Sequence, residues 1–176
     1  MHNRRQFLGN LAGLAGVTAM PGLLKAITDS QKRPNIVVFL VDDLGWGDFS
    51  CYGDTFHKTP NIDRLASEGL KFTNAYAAAP VCSPSRASIM TGQSPARLHL
   101  TQWIPGTIYP HKKLLEPSQI QHLDHSVPTI AEQLKQIGYQ TAAIGKWHLG
   151  GEGYLPEDFG LDVNIAGDHY GSPPAP

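Results

Sequence analysis

The segment Asn35-Ile36-Val37-Val38-Phe39-Leu40-Val41 is a continuous run of β-branched and apolar residues that follows Pro34 and ends at Asp42-Asp43. An apolar run of this length, without alternating polar residues, is typical of a strand that is buried on both faces. We therefore predict a strand at residues 35–41, with two adjacent carboxylates at its carboxyl end.

Helices and further extended segments alternate downstream of this run. Thr59 and Pro60 open a helix that Gly69 ends, because Thr suits the N-cap, Pro the first turn and Gly the terminus. The same kinds of signal predict two further helices and two further strands, namely helices at 83–91 and 128–138 and extended segments at 70–76 and 139–144.

This alternation predicts an α/β fold, a mainly parallel sheet flanked by helices with right-handed crossovers. In such a sheet, ligands bind beyond the carboxyl ends of the strands. Two polar groups of residues occupy those ends, Asp42-Asp43 after the first strand and Lys146-Trp147-His148 after the last.

The overall charge argues against nucleic acid as a partner. The 176 residues carry 14 Lys+Arg against 15 Asp+Glu, a net charge of −1, and no basic run stands out. Nucleic-acid binding depends on clustered cations that displace counterions from phosphates. The hydrophobic fraction of 41% predicts a folded core.

The N-terminus resembles a twin-arginine export signal. Arg4-Arg5-Gln6-Phe7-Leu8-Gly9 precedes a Gly/Ala-rich apolar stretch that ends near Met20. This stretch is too short and glycine-rich to span a bilayer stably, and no later segment is apolar enough. We predict a signal at residues 1–26, a mature chain from residue 27 and a periplasmic or secreted location; the alternatives are a signal-anchor or a plain amphipathic start.

Three short constellations carry residues suited to chemistry, and each also has a purely structural interpretation. Asp42-Asp43 offers oxygen ligands to a hard divalent cation, or it is a solvated turn. Cys82-Ser83-Pro84-Ser85-Arg86 places a thiol just before a helix and a guanidinium one turn inside it, which favours a bound anion. The alternative is a small buried cysteine beside a surface arginine.

The third constellation is Gly145-Lys146-Trp147-His148-Leu149-Gly150, in which Lys146 and His148 alternate and so can point to one side. A fixed charge and a titratable proton carrier would then converge, unless both are ordinary surface or structural residues. The two cysteines, Cys51 and Cys82, allow at most one disulfide in an oxidising compartment.

Taken together, these motifs resemble the N-terminal part of the type I sulfatases, from about residue 33 to the end. Their order and spacing carry the resemblance, which includes Pro34-Asn35-Ile36, Asp42-Asp43-Leu44-Gly45-Trp46-Gly47-Asp48, Thr59-Pro60-Asn61-Ile62-Asp63-Arg64-Leu65-Ala66, Cys82-Ser83-Pro84-Ser85-Arg86, Met90-Thr91-Gly92-Gln93 and Gly145-Lys146-Trp147-His148. The resemblance implies an alkaline-phosphatase-like sulfatase fold, incomplete in this chain, and hydrolysis of sulfate monoesters.

The resemblance also implies that Cys82 is converted to Cα-formylglycine, whose hydrated aldehyde attacks sulfur with one hydroxyl and releases sulfate with the other. Arg86 would hold the formylglycine hydroxyl, Lys146 would clamp a sulfate oxygen, and His148 would help deprotonate the second hydroxyl. Asp42 and Asp43 would bind calcium, with magnesium as the alternative, together with the modified Cys82.

The resemblance further implies two protein partners. One is a formylglycine-generating or radical sulfatase-maturing enzyme that acts on the Cys82 to Arg86 segment. The other is the twin-arginine translocase, which carries folded proteins and so allows oxidation of the cysteine before export.

Part of the sulfatase pattern is missing from the 176 residues, namely the remaining metal ligands and a second lysine and histidine. We therefore expect this chain alone to be inactive and poorly soluble, as a fragment or a natural truncation. Two other functions stay open: a non-catalytic remnant, and a phosphatase or phosphodiesterase of the same superfamily. The latter use Ser or Thr as nucleophile, against which the cysteine motif argues.

The nearest clue to the substrate is the irregular stretch 97–124. Its Trp103, Tyr109 and His99 could stack on a sugar ring, or the two aromatic side chains could simply pack the loop onto the sheet. The sequence therefore leaves open whether the substrate is a sulfated carbohydrate, such as a polysaccharide, or a smaller aryl sulfate.

Overall fold

The computed structural model of the chain describes residues 33–106, 111, 113–114 and 118–172. By contact pattern the chain divides into two units, residues 1–41 and 42–176. The predicted signal at 1–26 and Tyr109 lie outside the described residues. None of the described helices has the length and apolar character needed to cross a bilayer.

Three α-helices occur where the sequence predicts them: α1 at Pro60–Glu68, α2 at Cys82–Thr91 and α3 at Ile130–Gln136. Gly92 ends α2 in the left-handed region, at φ 68°, which glycine adopts without steric cost. At the start of α3, Thr129 and Glu132 form a reciprocal capping box. Local signals therefore determine these helix ends.

The sheet differs from the prediction. Its described part has two parallel strands, β1 at Ala142–Ile144 and β2 at Val163–Ile165, which pair residue by residue in that order. Strand β1 confirms the end of the predicted segment 139–144, whereas β2 was not predicted. A short 3-10 helix, Pro156–Phe159, lies between the two strands.

The predictions of strands at 35–41 and 70–76 are wrong for this structure. Neither segment pairs in a ladder, and Val37, Phe39 and Leu70 are 73%, 88% and 86% exposed. A strand needs a neighbouring segment to satisfy its backbone N–H and C=O groups. In the described part of the chain only β1 and β2 provide such partners for each other.

The core of the second unit lies between α2, α3 and the segments that follow β1. It is built from nine buried apolar residues: Ala87, Leu98, Leu100, Leu123, Ala131, Trp147, Leu149, Phe159 and Leu161. The Trp147 indole N–H donates to the Tyr154 carbonyl at 2.8 Å. By contrast, Ile144 and Ile165, which pair on one face of the sheet, are 78% and 54% exposed.

Candidate active site

Cys82 is the first residue of α2, one position further into the helix than the sequence predicts. Val81 is the extended N-cap, and its carbonyl accepts the N–H of Ser85 at 3.3 Å. The Cys82 thiol is free and half-buried, and Cys51 is free as well, so the disulfide that the sequence allows is not formed.

Arg86 connects the first turn of α2 to the end of β1. Its Nη1 donates to the Lys146 carbonyl at 2.5 Å, and its Nη2 lies 3.9 Å from Asp42 Oδ2. Only 12% of the Arg86 side chain is exposed. Burial lowers the pKa of Arg86, while Asp42 and Cys82 act in the opposite direction. A guanidinium nevertheless stays charged in proteins.

Lys146 and Asp42 form an ion pair through Nζ and Oδ2. The Lys146 side chain is 17% exposed and that of Asp42 is 40% exposed. Burial by itself would lower the pKa of Lys146, but interactions with Asp42 and Cys82 outweigh it and raise the pKa overall. The ammonium is therefore charged at neutral pH and lies beside the thiol.

His148 is buried, with 3% of its surface exposed, and its backbone is left-handed at φ 60°. Its Nε2 lies 2.5 Å from the Ile104 carbonyl, and its backbone N–H donates to the Asp168 carbonyl at 3.0 Å. Burial lowers the pKa of His148; the Ile104 hydrogen bond opposes this shift, and the cations of Lys146 and Arg86 reinforce it. The ring is therefore neutral at pH 7.

Asp43 follows Asp42 in a left-handed conformation, at φ 54°. Within the described residues it has no ion pair or side-chain hydrogen bond, and no group of three or more His, Cys, Asp or Glu residues could hold a metal ion. A hard divalent cation prefers carboxylate oxygens as ligands, so the side chains of Asp42 and Asp43 are of a suitable chemical type. They supply only part of the six to eight oxygen ligands that calcium takes.

Five of the six predicted site residues thus belong to one electrostatic group, and Asp43 adjoins it through the chain. Lys146 and His148 do not reach the site by alternating along an extended strand, as the sequence predicts. Trp147, between them, packs in the core, and the backbone of His148 is left-handed. Chemically, two cations next to a thiol at a helix start form a site suited to an anion.

Sequence reasoning missed the residues that hold His148. Ile104 supplies the acceptor for its ring, and Gly171 lies against the ring, where an added Cβ would come within 2.7 Å of Cε1. Ser83, fully buried, binds the backbone of Ile104 in turn. These contacts join segments far apart in the sequence, and the only local signal was the position of Ser83 beside Cys82.

Comparisons with known proteins point to one family. The family model described as Sulfatase matches residues 34–158. Human steryl-sulfatase is 44% identical over 137 residues, which are 78% of this chain and 23% of that protein. The N-acetylgalactosamine-6-O-sulfatase of Bacteroides thetaiotaomicron is 40% identical over 151 residues, which are 85% of this chain and 27% of the relative.

A solved structure agrees with these sequence matches. The crystal structure of Ps i-CgsB in complex with k-i-k-neocarrahexaose superposes with a TM-score of 0.57 at 33% identity, over 72% of this chain and 26% of that one. The chain spans about a quarter of the length of the relatives it matches. The fold comparison confirms the predicted α/β architecture, and with a family match across most of its length, the chain belongs to the sulfatase family.

Proposed function

We propose that the full-length protein hydrolyses sulfate monoesters with a nucleophile derived from Cys82. The observation that carries the proposal is the placement of this thiol at the start of α2, beside the half-buried cations of Arg86 and Lys146. A sulfate monoester brings an anion that such a pocket would attract. Membership in the sulfatase family supports the same reaction.

The proposed form of the working residue is Cα-formylglycine. Cys82 suits this modification because it is unpaired, half-buried and adjacent to charged donors. The hydrated aldehyde supplies two hydroxyls on one carbon, so that one can attack sulfur and the other can drive release of sulfate. A maturation enzyme, either formylglycine-generating or of the radical type, is the partner that this chemistry requires.

Each neighbouring side chain then has a proposed role. Lys146 binds a sulfate oxygen and neutralises its charge, while Arg86 orients the hydroxyl of the modified residue. His148, which is neutral, accepts a proton during sulfate release. Because the Lys146 carbonyl already holds the Arg86 guanidinium before substrate arrives, Arg86 needs little reorganisation.

We further propose that Asp42 and Asp43 contribute to a divalent cation site, with calcium as the ion and magnesium as the alternative. A bound cation would compete with Lys146 for the Asp42 carboxylate, with which that lysine now pairs. A displaced Lys146 would be free to bind sulfate. The cation would supply charge neutralisation at the modified Cys82.

The metal proposal predicts a change in metal content. In the full-length protein, Asp42→Asn and Asp43→Asn should each lose most of the bound calcium, because each removes a charged oxygen donor. Elemental analysis after equilibration with a weak chelator measures this loss. Asp48→Asn is the control, since Asp48 accepts the Gly45 N–H at 2.6 Å and is outside the proposed site. Undiminished calcium in both variants would contradict the assignment.

For the substrate we propose a sulfated carbohydrate, with an aryl sulfate as the alternative. One relative is named for N-acetylgalactosamine 6-O-sulfate, and the solved structure holds a neocarrahexaose. Human steryl-sulfatase, which is about as similar, is named for a different class of alcohol. Trp103, half-buried and next to Ile104 in the chain, is the side chain that we propose to contact the leaving group.

The proposed location is the periplasm or the medium. Residues 1–26 would act as a twin-arginine signal, and the twin-arginine translocase would export a protein that has already folded and been modified. Fusion of residues 1–26 to a reporter, with Arg4 and Arg5 both replaced by lysine as the control, tests this route.

The experiment that tests the function is the mass of the tryptic peptide Phe72 to Arg86, from full-length protein made in its native host. The peptide contains Cys82, and its mass should be lower by the difference between a CH2SH and a CHO group. It should also react with a hydrazide. An unmodified thiol, in a host whose maturation enzyme is active on another protein, would favour a non-catalytic remnant instead. Cleavage of phosphate esters but not sulfate esters would favour the phosphatase alternative.

A further inference from the structure

The peptide unit of Ile104 is hydrogen-bonded on both sides within the active site. Its N–H donates to Ser83 Oγ at 3.1 Å, and its carbonyl lies 2.5 Å from His148 Nε2. Ser83 and His148 are 0% and 3% exposed. A continuous chain of two hydrogen bonds therefore joins the residue after Cys82 to the ring of His148.

This chain determines the tautomer of His148. A carbonyl oxygen only accepts hydrogen bonds, so the proton of the neutral ring must lie on Nε2. Nδ1 then keeps its lone pair, and it is buried without a hydrogen-bond partner among the described residues. The one ring nitrogen able to take up a proton is therefore Nδ1.

We propose that Ser83 is a positioning residue, which holds His148 through the Ile104 peptide with Nδ1 as the proton acceptor. The inference rests on the proposed sulfatase function. Ser83 is next to Cys82 on α2, so the same turn of helix that carries the nucleophile also sets the position of its proton acceptor. Two hydrogen bonds through the Ile104 peptide thereby link the position of the His148 ring to the start of α2.

The geometry explains why the hydroxyl itself matters. Without Oγ, the Ile104 N–H loses its acceptor, and the Ile104 carbonyl is free to rotate away from Nε2. His148 can then adopt either tautomer and a wider range of ring orientations. Substrate binding through Arg86 and Lys146 would be unaffected, because neither contacts Ser83 or Ile104 by a hydrogen bond in the described structure.

The test compares Ser83→Ala with Ser88→Ala in the full-length protein. Ser88 lies on the same helix and has a buried hydroxyl with no hydrogen-bond partner among the described residues, so it controls for removal of a buried oxygen. The mass of the Phe72 to Arg86 peptide gives the converted fraction of each variant, and kcat is expressed per converted molecule. Melting temperatures show that each variant is folded.

We expect Ser83→Ala to lower kcat about tenfold or more with KM within about twofold of the parent, as loss of a supporting hydrogen bond does at other sites. Ser88→Ala should leave kcat unchanged. Ser83→Thr, which keeps the hydroxyl, should restore kcat to within about threefold of the parent.

Two results would overturn the inference while leaving the proposed function intact. One is a kcat for Ser83→Ala equal to that of Ser88→Ala. The other is a folded Ser83→Thr variant as slow as Ser83→Ala. A parent protein that carries formylglycine but cleaves no sulfate ester would instead overturn the proposed function, and this inference with it.

Discussion

Replacing Cys82 by serine should reduce turnover of a sulfate ester by the full-length protein at least about a thousandfold. A serine hydroxyl beside Arg86 and Lys146 could still attack sulfur. It has no second hydroxyl on the same carbon, however, and so no route for releasing sulfate at a useful rate. The measurement is the steady-state rate with a chromogenic sulfate ester, together with the peptide mass, which must show that the serine is retained.

The chain offers a matched control for this substitution. Cys51 is also free and half-buried, and it lies in a short 3-10 helix, Ser50–Tyr52, with no hydrogen bond to the charged site residues in the described structure. Cys51→Ser should therefore leave turnover within about twofold of the parent. Parental turnover in Cys82→Ser, with serine retained, would contradict the proposed nucleophile.

The helices were predictable because their signals are local. Pro60 in the first turn of α1, the left-handed Gly92 after α2 and the Thr129–Glu132 capping box each act within four residues of a helix end. Burial was less predictable. In α3 the large apolar Ile130 is 49% exposed, whereas the small Ala131 beside it is buried.

The strands were predicted less well because their hydrogen bonds join distant segments. The run 35–41 has the strongest strand composition in the chain, yet it forms no ladder, whereas the short β2 pairs with β1 across about twenty residues. Composition indicates a preference for extended backbone, but a partner decides whether a strand forms.

In the site, likewise, the types of the functional residues were predictable, whereas the contacts between distant segments were not. Asp42, Arg86 and Lys146 were predictable as a group because their types and motifs indicate charge chemistry, and the structure brings them together. The support of His148 by Ile104 was not predictable, because it depends on a backbone carbonyl 44 positions away in the chain. Every residue has a backbone carbonyl, so the residue type at position 104 does not indicate that it accepts this hydrogen bond.

Replacing Lys146 by methionine should lower kcat/KM for a sulfate ester about a hundredfold to a thousandfold, the range seen when one preorganised donor to a developing charge is removed. Methionine keeps most of the side-chain volume and loses only the ammonium. The Asp42 carboxylate would then face a single cation, Arg86, at 3.9 Å. The local field would shift from attracting a sulfate group towards repelling it.

The control for charge loss is Lys135→Met. Lys135 pairs with Asp162 at 2.5 Å but is 52% exposed and has no contact with Cys82 or Arg86 in the described structure, so kcat/KM should change less than about twofold. Lys146→Arg should recover part of the activity, since the charge returns on a side chain of different shape. If Lys146→Met were to retain kcat/KM within about threefold of the parent, Lys146 could not be a sulfate contact. The raised pKa that Asp42 and Cys82 give it would then reflect only an ion pair that holds the first residues of the second unit against the end of β1.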